Sequence, residues 1–150
     1  MKRFLDNPYL ALIARLILGF MFIIVGIAKI HEPAVFAEEI GNYRILPEFM
    51  LNFIALLLPW LELLSGLFII AGVRIRANTI ITGALLIVFI IAVASADIRG
   101  LDINCGCYSN IAEQKVGMAK ILENTGLLIL AVYLYIFPNN RFSLEAFKQS

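Results

Sequence analysis

The chain has 150 residues, of which 61 % are hydrophobic and 15 % charged, and its mean hydropathy is +0.91. A soluble domain of this size could not hide so much apolar surface from water, so the composition indicates a protein that sits in a lipid bilayer. The 12 basic and 11 acidic side chains nearly cancel, which argues against nucleic acid as a partner and against a dedicated site for anionic lipid.

Four apolar stretches reach the length of about 20 residues that a membrane-spanning helix needs. Because these stretches are continuous rather than alternating, they favour helices over barrel strands. The first follows a basic N-terminus, but it is long for a signal peptide, contains Arg15 and Lys29, and lacks a small-residue cleavage site. The sequence therefore predicts an all-α, polytopic membrane protein with one four-helix transmembrane domain over residues 1–150. The predicted helices cover residues 9–30, 49–72, 77–96 and 116–137.

The distribution of basic residues predicts how the helices are oriented. Lysine and arginine flank the N-terminus, the turn near residue 74 and the C-terminal tail, whereas the segment 31–48 holds four glutamates against Arg44 alone. Since basic residues concentrate in cytoplasmic loops, both termini are expected in the cytoplasm. In a bacterial inner membrane, the segment 31–48 and the segment that carries the two cysteines would then face the oxidising periplasm.

The first predicted helix carries one stripe at spacings of three and four residues, formed by Arg15, Gly19, Phe22, Gly26 and Lys29. This stripe combines two glycines, which permit close helix contact, with two cations that cannot face lipid cheaply. We expect it to face the interior of the bundle.

The second predicted helix has a matching stripe of Ala55, Pro59, Glu62 and Gly66. At a rise of ~1.5 Å per residue, Glu62 lies ~15 Å from the outer helix end, with Arg15 at ~22 Å and Lys29 near the surface. An unpaired carboxylate at such a depth costs at least ~2.5 kcal/mol or takes up a proton. We therefore expect Glu62 either to form a buried ion pair with Arg15, its nearer partner, or to act as a proton relay.

Further polar residues cluster near the outer helix ends and could support such a site. For Lys29 and Lys120 the expected behaviour is snorkelling, in which the ammonium group extends to the membrane surface. The set of supporting polar residues is Lys29, Asp97, Arg99, Lys120 and Glu123.

The two cysteines of the chain form the sequence Cys105-Gly106-Cys107 in a polar segment between two apolar stretches. Glycine lets the backbone fold tightly enough to bring the sulfur atoms together, and so small a disulfide ring is strained and easily reduced. The pair is thus a candidate redox centre. A static disulfide, two unreactive thiols, or two soft ligands that need a partner's help to hold a metal remain as alternatives. With His31 as the single histidine, no metal site is predicted within one chain.

Several motifs occur together in an order that resembles the DoxX-like membrane proteins, and within them most closely the MauE branch. They are Arg15-Leu16-x-Leu18-Gly19, Gly26-x-x-Lys29, Asn42-Tyr43-Arg44-x-Leu46-Pro47, Leu58-Pro59-Trp60-x-Glu62-x-x-x-Gly66 and Arg99-Gly100 before Cys105-Gly106-Cys107. The resemblance covers roughly residues 10–135 and departs at Tyr108, where phenylalanine is expected.

The resemblance implies a four-helix bacterial membrane protein associated with thiol-disulfide chemistry in the periplasm and, in the methylamine branch, with maturation of a disulfide-rich enzyme subunit. It also implies quinone-coupled or thioredoxin-like partners. We expect Cys105 and Cys107 to exchange electrons with a separate thioredoxin-like or disulfide-bearing protein, while the outer half of the bundle accepts a quinone or a similar apolar carrier.

Two other functions remain open on the sequence. The chain could be a non-enzymatic subunit that anchors or stabilises a membrane complex or a homo-oligomer, with Phe36, Tyr43 and Trp60 as packing or interface residues. A transporter is less expected, because the four helices show neither a clear repeat nor paired broken helices.

Overall fold

The computed structural model describes residues 7–100, 118–138 and 143–148, and within these ranges it contains helices and no strand. The helices are α1 (Pro8–His31), α2 (Pro33–Asn42), α3 (Glu48–Ala71), α4 (Ile75–Ile98), α5 (Met118–Ile136) and α6 (Leu144–Lys148). Helices α1, α3, α4 and α5 are long and apolar enough to cross a membrane. The predicted all-α bundle is confirmed, and each of its four long helices begins and ends within two residues of the prediction. The short helix α2 lies in a segment that was expected to be a loop.

The ends of the long helices follow local chemistry. Asn7 caps α1 by accepting a hydrogen bond from the backbone N–H of Tyr9 at 3.1 Å, and Pro8 occupies the first helical position. Helix α3 ends at Gly72, which has a φ of 73° that a residue without Cβ adopts at little cost. The N–H of Val73 then donates to the carbonyl of Phe68 at 3.0 Å, so the chain can reverse into α4.

Helices α1 and α3 pack with their backbones in close contact. A Cβ atom built on Gly66 would lie 2.8 Å from the carbonyl oxygen of Gly19, and one built on Gly26 would lie 3.0 Å from the carbonyl oxygen of Pro59. All members of the two predicted stripes are buried, which confirms that these faces point into the bundle. Helices α4 and α5 form the second extensive pair, and α2 packs on α3.

The bundle has two distinct ends. At the Gly72 end, where α3 turns into α4, the tail returns so that Ser143 packs against Gly72. At the opposite α2 end, Arg99 Nη1 donates to the carbonyl oxygen of Tyr43 at 3.1 Å. Ile121 in the first turn of α5 packs against the cluster of Tyr43, Val93 and Ala96. The described residues on either side of 101–117 therefore both lie at the α2 end.

The outward surface of the four long helices is apolar, as a lipid-facing surface must be. A helix of 24 residues such as α1 is ~36 Å long, which exceeds the ~30 Å hydrocarbon core of a bilayer. Large exposed apolar side chains on the first two long helices include Ile13, Phe20, Ile24, Ile27, Phe53, Leu56, Leu57 and Trp60.

Candidate functional site

A buried ion pair joins α1 and α3 in the interior of the bundle. Lys29 Nζ lies 2.8 Å from Glu62 Oε1 and 3.0 Å from Glu62 Oε2, and the two side chains are only 2 % and 9 % exposed. The same ammonium group lies 4.5 Å from the ring centroid of Phe36 in α2 and 5.6 Å from that of Phe89 in α4. One cation thus binds together all of the first four helices.

The burial of Lys29 contradicts the snorkelling expected from its position near a helix end. Side chains on a helix tilt toward its N-terminus, so the Lys29 side chain leans back into the bundle toward Glu62. Helix α2 begins at Pro33, directly after α1, and brings Phe36 over the ammonium group. A carboxylate and two aromatic faces replace the water that a surface lysine would use.

The predicted ion pair of Glu62 with Arg15 is wrong, because Glu62 pairs with Lys29 and Arg15 binds the end of α3. Arg15 Nε donates to the carbonyl oxygen of Ile69 at 2.9 Å, and Arg15 Nη2 donates to that of Ile70 at 2.7 Å. These carbonyls belong to the last turn of α3, whose oxygens lack partners within the helix and carry its negative partial charge. The prediction compared the depths of the residues in the membrane from the helical rise per residue. That comparison ignores how far each side chain extends along the helix, and it therefore selected the wrong partner.

A small cavity with both apolar and polar lining residues, here called the central cavity, adjoins the ion pair. It has a volume of about 50 Å³, and its polar lining is formed by Lys29, Glu62, Lys120, Glu123 and Asn124. Lys120 Nζ pairs with Glu123 Oε2 at 2.7 Å and is 4 % exposed, so it too fails to snorkel. The cavity is large and polar enough to hold water, which would connect α3 with α5.

The other two predicted supporting residues stand apart from this cluster. Asp97 and Arg99 are both exposed at the end of α4, and neither lines the central cavity. Arg99 instead holds the end of α4 to the C-terminal end of α2 through the carbonyl of Tyr43. Its role in the described structure is to position α2.

A second, larger cavity lies under α2 and is here called the α2 cavity. Its volume is about 470 Å³, and side chains from α2, α3, α4 and the 45–46 turn line it. Most of the lining is apolar or aromatic, with Phe36, Tyr43 and Phe89 among the rings. Glu39 and Glu62 provide carboxylates at its wall, so Glu62 borders both cavities.

Glu39 was missed as a site residue in the sequence. It is 7 % exposed, and its Oε2 atom is buried without a hydrogen-bond partner among the residues that the structure describes. The signal that could have found it is the spacing of Phe36, Glu39 and Tyr43, which places the carboxylate on the one apolar stripe of a short helix.

Burial shapes the electrostatics at the α2 end. Desolvation raises the pKa of Glu39, with the neighbouring Glu38 adding to the rise and Lys29 opposing it. Desolvation, assisted by the charge of Glu39, also raises the pKa of Tyr43 to about 12. The phenol therefore stays protonated, and the Glu39 carboxyl is held closer to neutrality than a surface glutamate.

The residues around the α2 cavity suit the carrier expected from the resemblance. Aromatic rings and aliphatic side chains match an apolar ring. Glu39 Oε2, which has no hydrogen-bond partner in the described part of the chain, is an acceptor for a hydroxyl group such as that of a reduced quinone. The predicted redox residues Cys105 and Cys107 lie outside the described residues.

Known proteins resemble this chain over most of its length. It is 29 % identical over 133 residues to the methylamine utilization protein MauE of Paracoccus denitrificans, which covers 88 % of this chain and 72 % of that protein. It is 30 % identical over 128 residues to MauE of Methylorubrum extorquens, with 85 % and 69 % covered. MauE of Methylophilus methylotrophus is 28 % identical over 141 residues, with 92 % and 74 % covered. No solved structure matches the chain. Residues 7–137 match the family of the methylamine utilisation protein MauE, and this chain is therefore a multi-pass membrane protein that belongs to the MauE family.

Proposed function

We propose that this protein carries out thiol-disulfide exchange at the membrane surface through Cys105 and Cys107. The observation that carries the proposal is that Gly100 and Met118, the described residues flanking the cysteine segment, both belong to the α2 end, where the buried carboxylates and the larger cavity also lie. The chain therefore enters and leaves the cysteine segment at the end of the bundle that holds the buried carboxylates and the larger cavity, and this supports the proposal.

The exchange moves two electrons and two protons. A thiolate of the partner attacks one sulfur of the Cys105–Cys107 disulfide, the other sulfur leaves, and a second partner thiol resolves the mixed disulfide. The partner ends as a disulfide and Cys105 and Cys107 end as thiols; in the reverse direction the same pair reduces a partner disulfide. A quinone bound nearby would supply a two-electron acceptor for the reduced pair.

Buried carboxylates near the α2 end are placed to take up the protons that thiol oxidation releases. Among the residues that the structure describes, Glu39 has a buried carboxyl oxygen without a hydrogen-bond partner, while Glu62 lies between the α2 cavity and the central cavity. Because burial raises the pKa of Glu39, this carboxyl group is suited to taking up and releasing protons. Arg44 and Arg99 are exposed at the same end and offer charge for docking a soluble partner.

In this proposal the α2 end faces the periplasm of a bacterial inner membrane and both termini lie in the cytoplasm. An even number of long helices places the beginning of α1 and the end of α5 at one end, and the excess of basic residues in the adjoining segments supports a cytoplasmic location for it. The soluble partner is a separate thioredoxin-like or disulfide-bearing protein. By analogy with the relatives' names, the physiological setting is methylamine utilisation, and the wider relation to DoxX-like proteins stays a prediction.

The proposal is tested by replacing both cysteines, Cys105→Ser and Cys107→Ser, in protein reconstituted into lipid vesicles. The oxidation of a dithiol peptide is measured, and the double variant is expected to lose it while keeping the thermal unfolding midpoint of the parent. Tyr108→Phe is the matched control, because it changes the adjacent residue and keeps the aromatic ring. Undiminished peptide oxidation by the double variant would refute the proposal.

The anchoring subunit is kept as a second candidate because Trp60 is 53 % exposed on the outer face of α3, where it could contact another protein in the membrane. Phe36 and Tyr43, by contrast, are buried in the bundle and offer no such surface. Trapping thiols in growing cells with a mass-shifting alkylating reagent separates the candidates. An electron carrier changes its labelling with growth conditions, whereas an anchor keeps one state.

A further inference from the structure

The α2 cavity has the size and lining of a site for a small organic molecule. Its volume of about 470 Å³ falls within the range of roughly 300–1,000 Å³ in which such sites are found. Such sites combine an apolar lining with a few polar groups that orient the ligand. Here the polar groups at the wall are the carboxylates of Glu39 and Glu62.

Of these two carboxylates, Glu39 has the unmet bonding capacity. Both oxygens of Glu62 accept hydrogen bonds from Lys29 Nζ. Glu39 is more than nine-tenths buried, and its Oε2 atom has no hydrogen-bond partner within the described ranges. A buried carboxyl oxygen without a partner is costly, so a donor brought by a ligand would be favourable there.

We propose that the α2 cavity binds a small apolar ring that carries a hydroxyl group, and that the hydroxyl donates a hydrogen bond to Glu39 Oε2. Phe36 and Phe89, which also face the ammonium group of Lys29, form part of the ring-binding wall. The ligand is a hydroquinone of the membrane or another phenol-like molecule, since these share the ring and the donor. A lipid acyl chain fits the apolar walls but leaves Glu39 without a donor.

As the product that forms when a quinone accepts two electrons and two protons from the cysteine pair, this ligand rests on the proposed function; as a bound molecule it does not. All binding measurements are therefore made on the full chain with Cys105→Ser and Cys107→Ser, which has no thiol chemistry. Failure of thiol exchange would leave the binding result unchanged, and failure of binding would leave thiol exchange to be judged by its own assay.

The test compares two probes that share the ring and the decyl chain, decylhydroquinone and its dimethyl ether, which lacks the hydroxyl donors. Their dissociation constants are obtained from the dependence of the thermal unfolding midpoint on probe concentration in detergent micelles. Only decylhydroquinone can donate a hydrogen bond to the buried carboxyl group of Glu39. Its dissociation constant is therefore expected to be about tenfold lower than that of the dimethyl ether. Two further probes distinguish a hydroquinone from another phenol-like ligand. Decylbenzoquinone is the oxidised form and lacks the hydroxyl donors, whereas a long-chain phenol has a hydroxyl donor but is not a quinone.

Substitutions at two adjacent glutamates locate the effect. Glu39→Leu is expected to remove the preference for decylhydroquinone while keeping the affinity for the dimethyl ether, and Glu39→Gln, a milder change, is expected to reduce the preference. Glu38→Leu is the matched control, because Glu38 is exposed and does not line the cavity. Equal affinity of both probes for the parent, equal preference in the Glu39 variants, or no saturable binding of either probe would overturn the proposal.

Discussion

The ion pair between Lys29 and Glu62 allows a quantitative test of what holds the bundle together. We consider Lys29→Met, which keeps an unbranched side chain of similar length and removes the charge. The substitution leaves a carboxylate that is 9 % exposed, 2.8 Å from where its counter-charge was, and removes the cation from the rings of Phe36 and Phe89.

The expected loss follows from the burial of both partners. Removing one member of a buried ion pair typically costs about 3–5 kcal/mol, because the other charge remains without compensation. Glu62→Gln is milder, at about 1.5–3 kcal/mol, because an amide oxygen still accepts a hydrogen bond from the ammonium group. In the double variant no unpaired charge remains, so its loss of stability should be smaller than the sum of the two single losses.

The free energies of unfolding are measured by titrating mixed micelles with sodium dodecyl sulfate, and the four proteins form a double-mutant cycle. Lys120→Met is the control, since Lys120 is equally buried but its partner Glu123 is 37 % exposed and therefore screened by solvent, which predicts a smaller loss. The coupling would be refuted if the double variant lost as much free energy of unfolding, within about 0.5 kcal/mol, as the sum of the losses in Lys29→Met and Glu62→Gln.

Three further predictions address the helix contacts and the buried carboxyl at the α2 end. Arg15→Met should destabilise the bundle by about 1.5–3 kcal/mol in the same unfolding assay, because two carbonyls at the end of α3 lose a charged donor; an effect below 0.5 kcal/mol would contradict this. Gly66→Ala should lower the unfolding midpoint because its Cβ would meet a backbone oxygen at 2.8 Å, whereas Gly83→Ala, whose Cβ would lie 3.8 Å from its nearest neighbour, should leave it unchanged or raise it. Equal midpoints for these two variants would argue against the close contact of α1 and α3. Because burial raises the pKa of Glu39 above its ordinary value of 4.5, the folded state binds the proton more tightly than the unfolded state, so stability should fall as the pH rises above 4.5. Glu39→Gln should flatten this part of the pH profile, and an unchanged profile would contradict the burial of a titrating carboxyl.

Much of the fold could be predicted from the sequence because it depends on local composition. Four continuous apolar stretches of the right length require helices, since unpaired backbone groups are too costly in lipid. The placement of small and polar residues every three or four positions also identified the buried stripes of α1 and α3 correctly. These features follow from helical periodicity alone.

The polar pairing inside the bundle needed the tertiary structure. Arg15 and Lys29 lie on the same stripe, and both were candidates to neutralise Glu62. The choice between them depends on the axial offset of α1 against α3, which the glycine contacts determine, and on the direction in which each long side chain leans. Those quantities are not encoded in the spacing of either helix by itself.

The α2 cavity, like the ion pair, could not be predicted from local sequence pattern. Composition and periodicity are enough to predict that this chain spans a membrane with four helices and to identify the inward faces of α1 and α3, because the cost of placing polar groups in lipid acts on each helix separately. The packing of the helices was needed to find that α2 folds over the bundle, that Lys29 rather than Arg15 pairs with Glu62, and that Glu39 borders a cavity of about 470 Å³. Such arrangements depend on how helices distant in the chain fit against one another, and that fit is a property of surfaces rather than of local pattern.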